Sequence, residues 1–78
     1  MVFEQVKESL AEILSKDVDM IDMDTKLVDD LGVDSIDSVE LIMAVEEVYD
    51  ITVPEEDAMA MKTVGDVVEY IEDHIVED

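Results

Sequence analysis

Three sets of apolar residues in this chain recur every three or four positions, and that spacing limits the fold more than anything else in it. Phe3, Val6, Leu10, Ile13 and Leu14 form the first set, with Val2 and Ala11 beside them. Leu41, Ile42, Val45, Val48 and Tyr49 form the second, and Val64, Val67, Val68, Ile71 and Ile75 the third. A period near 3.6 residues puts each set along one face of a helix, and each such face has to be buried against another. Ile51 and Val53 alternate as in a strand, but a single short run has no strand to pair with. The expected fold class is therefore all-α. Residues 1–78 should form one domain, a small four-helix bundle.

Local signals set the boundaries. Helix one is expected from Val2 to about Ser15 and helix two from about Ser35 to Tyr49. Pro54 fits the start of a short third helix, "PEEDAMAM", whose first turn carries acids where the helix dipole favours them. Thr63 is a good N-cap for helix four, with Asp66 three residues on in a box-like position. Between helices one and two, Lys16 to Asp34 shows no sustained period. This long loop is expected to be pinned by Val18, Ile21, Leu27, Val28 and Leu31, with a short helical turn near Lys26. Connections of this length are uncommon in small domains and are often functional.

Charge excludes several function classes. Twenty-four acids against four lysines, with no arginine, give a net charge of −20. Such a chain does not bind nucleic acid, whose phosphates need Lys and Arg, and it is repelled by anionic membrane surfaces. No apolar stretch approaches the ~18 residues of a membrane span, and no basic segment precedes an apolar run at the N-terminus. A cytoplasmic protein without membrane insertion is expected. Cysteine is absent, so neither disulfides nor thiolate metal sites contribute. Residues 34–78 alone carry −14, and no basic side chain lies between Lys26 and Lys62. Helix two thus cannot form internal ion pairs of the i,i+4 kind, and its acids are better explained by basic partner proteins steered toward it.

Helix two is also apolar on a second side. Ile36, Val39 and Met43 fall nearly opposite its core stripe, interleaved with Glu40, Glu46 and Glu47 and flanked by Asp37. An apolar strip fenced by carboxylates suits a docking face, apolar for affinity and acidic for orientation. Ser35 and Asp34 both stand at the helix start, and either is a competent N-cap. A nucleophilic serine needs a base in reach, usually a histidine held by a third group. The one histidine, His74, belongs near the end of helix four, so no catalytic residue is assigned. The aspartate-rich "DVDMIDMD" and "DDLGVDSID" lack the register of an EF-hand loop, and no dedicated metal site is expected.

The stretch "DLGVDSIDSVELIMAVEEVYDITVPEEDA", with the long loop before it and the "TV…YI" helix after it, resembles the acyl carrier proteins of free-standing bacterial fatty acid synthesis. The resemblance spans essentially the whole chain. It implies that Ser35 carries 4′-phosphopantetheine through a phosphodiester, added from coenzyme A by a phosphopantetheinyl transferase, and that growing fatty acyl chains ride on this arm as thioesters. It implies that helix two is the recognition helix for fatty acid synthesis enzymes with basic docking surfaces, through Asp34, Ile36, Asp37, Val39, Glu40, Met43, Glu46 and Glu47. By position, Leu27, Val28, Ser38, Val45, Ala58, Met61 and Val67 would line a space sheltering the acyl chain, and a monomer is expected. Carriers for polyketide, peptide or D-alanine chemistry and an unmodified acidic protein-binding module are the alternatives. Two departures stand out: Ile36 follows the serine where leucine is commoner, and Met59 and Ala60 replace polar residues usual in helix three.

Overall fold

In the computed structural model, which describes residues 2–75, the first apolar set becomes helix α1, Val2–Leu14. Val6 and Leu10 are fully buried on it, while Phe3, Ile13 and Leu14 pack on the rim of the core. Ser15 then turns left-handed (φ 55°), and the N–H of Lys16 closes on the carbonyl of Ala11 at 2.9 Å. Helix α2 is Ser35–Tyr49, α3 is Glu55–Ala60 and α4 is Val64–His74. Helix α1 packs against both α2 and α4. Between these helices Val6, Leu10, Leu41, Val45, Val64, Val67, Val68 and Ile71 make one core, closed by Ile21, Leu27, Leu31 and Val33 from the long loop. The architecture is all-α with four α-helices, and among the described residues the only extended pairing is a single bridge between Lys26 and Thr63.

The long loop is an ordered strap. A 3₁₀ turn at Val18–Met20, capped by the Asp17 carboxylate, starts it. Thr25, a buried polar residue, donates its hydroxyl to the Asp22 carboxylate at 3.1 Å and accepts the Asp22 N–H at 2.9 Å. The backbone then runs beside the start of α4. Leu27 N–H meets the Lys62 carbonyl at 2.9 Å, Val64 N–H meets Thr25 at 3.0 Å, and Gly65 N–H meets Met23 at 2.8 Å. A Cβ on Gly65 would stand 2.9 Å from the Met23 carbonyl oxygen, so this crossing needs glycine. Immediately after Lys26 the chain makes a helical turn, with Asp30 N–H on the Lys26 carbonyl at 3.0 Å and Gly32 N–H on Val28 at 3.0 Å.

Two expectations are corrected. Val48 was placed on the core stripe of helix two but is 53% exposed, because the packed face of α2 follows Leu41, Val45 and Tyr49, four residues apart, and leaves Val48 at its edge. Val28 is not a loop anchor; it is 66% exposed, its side chain turned outward by the helical turn that buries Leu27 and Leu31. As expected, Ile51 and Val53 form no strand, and Val53 is buried as the chain enters α3.

Candidate functional site

Everything around the head of α2 is arranged by three residues upstream. Gly32 adopts φ +68°, a left-handed conformation that costs glycine little, and this lets Val33 turn inward with its N–H on the Leu27 carbonyl at 2.9 Å. Val33 is buried, so the residue after it emerges at the surface at a fixed angle. That residue, Asp34, is the N-cap. Its carboxylate accepts the Asp37 N–H at 2.9 Å, and the Asp37 carboxylate accepts the Asp34 N–H at 3.4 Å, a reciprocal box.

Asp34 therefore does the capping that either residue could have done. Ser35 is the first helical residue, exposed, with its hydroxyl outside the cap. Among the described residues the Ser35 and Ile36 N–H groups take no partner either, as expected of the first turn of a helix. Two free N–H donors at the positive end of a 15-residue helix can receive an anion beside the exposed hydroxyl. His74 lies elsewhere. It stacks on Tyr70 with ring centroids 4.0 Å apart and donates from Nδ1 to the Tyr70 carbonyl at 2.8 Å.

Beside Ser35 opens a mostly apolar groove of about 820 Å³. Val28 and Val33 contribute one edge, and Ser35, Ser38, Val39, Ile42, Met43 and Glu46 of α2 contribute the floor. Val53, Glu55, Ala58 and Met59 close it from the α3 side. Of the residues expected to line such a space, Val28, Ser38 and Ala58 are on its wall. Leu27, Val45 and Val67 lie beneath it in the core, and Met61 faces a shallower cleft between α3 and α4. Val33, Ile42, Val53 and Met59 were not anticipated. Ile42 had been read as core, and the others owe their place to the loop and α3 positions that periodicity does not report.

The outer face of α2 is apolar and acidic together. Ile36 is 69% exposed, Val39 57% and Met43 61%, and Met59 of α3 continues the strip across the groove mouth at 70%. Asp34, Glu40 and Glu47 are exposed along it, and among the described residues α2 takes part in no ion pair. Glu46 is different. Its carboxylate accepts the Val53 N–H at 2.8 Å, tying α2 to the segment that leads into α3. Asp37 is half-buried and engaged in the cap.

A helical domain that presents an unengaged serine at a helix start, beside an apolar groove, has the form of a carrier domain. The phosphopantetheine attachment site family matches residues 4–71. Acyl carrier protein of Clostridium perfringens is 53% identical over 73 residues, covering 94% of this chain and 96% of that protein. The acyl carrier protein of Clostridium acetobutylicum is 52% identical over 77 residues, covering 99% of this chain and all of that protein. A solved Mycobacterium tuberculosis chain assigned as an acyl carrier protein superposes with a TM-score of 0.86 at 36% identity, covering 92% of this chain and 96% of that one. The chain belongs to the phosphopantetheine attachment family and, within it, to the acyl carrier proteins, whose prosthetic group is covalent 4′-phosphopantetheine. Among the described residues no helix is long and apolar enough to cross a membrane.

Proposed function

We propose that Ser35 is the attachment residue, and that residues 1–78 act as a single monomeric carrier domain in the cytoplasm. The domain presents fatty acyl chains to fatty acid synthesis enzymes without catalysing any step itself. The observation that carries this reading is the division of labour at the head of α2: Asp34 caps the helix, which leaves the Ser35 hydroxyl exposed at the groove mouth. When bound, 4′-phosphopantetheine supplies a thiol on a long flexible arm, where an acyl group is held as a thioester and its local concentration raised.

The chain's own residues do the rest. The Ser35 and Ile36 N–H groups stabilise the negative phosphodiester, while Asp34 and Asp37 spend their carboxylates on each other's backbone. Ile42, Met43, Val53, Ala58 and Met59 offer the acyl chain an apolar wall. The strip of Ile36, Val39 and Met43 with Asp34, Glu40 and Glu47 receives enzymes whose docking surfaces are basic, the transferase among them. Intact mass after incubation with coenzyme A and a phosphopantetheinyl transferase tests the assignment. Wild type and Ser38→Ala should each gain one phosphopantetheine, and Ser35→Ala none, with its helical circular dichroism unchanged. Modification of Ser35→Ala, or its loss in Ser38→Ala, would overturn it.

A further inference from the structure

Helix α3 walls the groove and yet has almost nothing of its own to hold it there. It is six residues long, none of them buried, and its N-cap, Pro54, makes no side-chain cap bond. The segments at its two ends are fastened: Val53 N–H to Glu46 on one side, and Leu27 N–H to the Lys62 carbonyl on the other. Among the described residues, the body of the helix has one side-chain hydrogen bond to another helix, from the Tyr70 hydroxyl of α4 to the Asp57 carboxylate at 2.9 Å.

Tyr70 is well placed for that contact. Its neighbours Val67, Val68 and Ile71 are buried, so α4 is a fixed base, whereas Tyr70 itself is only half-buried. Its ring is stacked on His74 with an interplanar angle of 12°, and His74 is anchored to the Tyr70 carbonyl. The hydroxyl is thus aimed by contacts that do not involve α3. The phenol pKa is raised, by burial first, then by the bond to Asp57 and by the charges of Asp57 and Glu46, so the donor keeps its proton throughout the neutral range.

We propose that Tyr70 is a positioning residue which, acting through Asp57, holds α3 in place as the outer wall of the acyl groove. Asp57 and Tyr70 face the shallower cleft between α3 and α4 and do not line the groove, so the contact bears on the groove by fixing where α3 stands. Its meaning for a bound acyl chain rests on the carrier reading; the tether itself does not.

Hydrogen exchange and thioester protection together decide it. Tyr70→Phe removes only the hydroxyl, and a net hydrogen bond of this kind is worth roughly a three- to tenfold shift in an opening equilibrium. In the unmodified protein, exchange of the Asp57 and Ala58 amides, both bonded to the Pro54 carbonyl at 3.0 Å, should rise by about that factor. Exchange at Leu10 and Ile71 should not change. Asp57→Ala should reproduce the effect, Asp57→Asn, which keeps an acceptor oxygen, should largely restore it, and the double variant Tyr70→Phe/Asp57→Ala should go no further than either single one. Unchanged α3 exchange in Tyr70→Phe, or additive effects in the double variant, overturns the tether. In the acylated protein, cleavage of a decanoyl thioester by hydroxylamine should speed up in Tyr70→Phe by a similar factor, while an acetyl thioester, too short to enter the groove, is cleaved as in wild type. Faster exchange with decanoyl protection intact overturns the role of Tyr70 in the groove. A chain that accepts no phosphopantetheine sinks the carrier reading, and the exchange results still decide the tether.

Discussion

Helices α2 and α4 begin with the same device and use it to opposite ends. In α4 the Thr63 hydroxyl accepts the Asp66 N–H at 3.1 Å, and the Asp66 carboxylate accepts the N–H groups of Lys62 and Thr63 at 2.8 and 3.1 Å. In α2, Asp34 and Asp37 make the equivalent box. The residues that follow differ completely. Val64 has no exposed surface, and the Val64 and Gly65 N–H groups are taken by the carbonyls of Thr25 and Met23. Ser35 and Ile36, in the same two positions of α2, are exposed with their N–H groups free. A capping box fixes where a helix starts; whether that start is a joint or a site depends on whether another segment covers it. The loop from Met23 to Leu27 covers α4 and leaves α2 open.

Substitution at the two covered-versus-open positions tests this contrast most strongly. Val64→Ala removes buried methyl groups and should lower the unfolding free energy by about 2 kcal/mol. Ile36→Ala, which removes a larger group from an exposed position, should change it by less than ~0.5 kcal/mol. Urea titrations of both variants at pH 7 provide the check. A cost at Ile36 equal to that at Val64 would mean that the head of α2 is packed after all.

What the sequence made legible follows the same division. Periodicity located α1, α2 and α4, Pro54 and the acids after it located α3, and the spacing of Thr63 and Asp66 predicted the α4 cap, because these signals are local. Ser35 was singled out by its place and by family resemblance, but whether it or Asp34 was the cap could not be read, since both are good capping residues. The contacts that shape the groove were hidden for another reason. Glu46 reaching the Val53 N–H, Tyr70 reaching Asp57, and Gly65 passing under Met23 all join residues whose proximity depends on the completed fold. Val48 was misread because the packed face of α2 runs through Leu41, Val45 and Tyr49, and Val48 stands at the edge of the broad arc drawn around them.

The two caps themselves should be closer in strength than the residues behind them. Thr63→Ala and Asp34→Ala should each cost about 1 kcal/mol, the usual worth of an N-cap. Acid should weaken the α4 cap, because the backbone N–H bonds from Lys62 and then Thr63 hold the Asp66 carboxyl below its ordinary pKa. A pKa lowered by folding means the folded state binds fewer protons, so the stabilisation is complete above the unfolded carboxylate range and is lost as pH falls through the folded value. The stability gap between wild type and Asp66→Asn should therefore be largest at pH 7 and close below about pH 4. Urea midpoints collected from pH 7 to pH 3 measure it, and a gap that stays constant over that range would remove Asp66 ionisation from the account of the α4 start.

The smallest effects are expected from single charges, and they show best in rates. Glu40 and Glu47 lie exposed on the open face that begins at Ser35, and Glu69 lies exposed on α4, whose start is covered. Reversing any one of them to lysine changes the net charge of −20 by the same amount, so the long-range attraction for a basic partner falls equally in all three. Only Glu40→Lys and Glu47→Lys also place a like charge opposite the partner's basic surface at the moment of docking. With a phosphopantetheinyl transferase at low salt, those two should associate several-fold more slowly than wild type, and Glu69→Lys should lose markedly less. Added salt shortens the screening length from about 10 Å at 0.1 M to about 3 Å at 1 M, so the three variants should converge on wild type as it rises. Stability should scarcely move, because among the described residues these acids take part in no ion pair and each reversal relieves some self-repulsion. Stopped-flow association rates across a salt series separate the possibilities: equal slowing by Glu40→Lys and Glu69→Lys would assign steering to total charge, and the open face of α2 would have no privileged part in it.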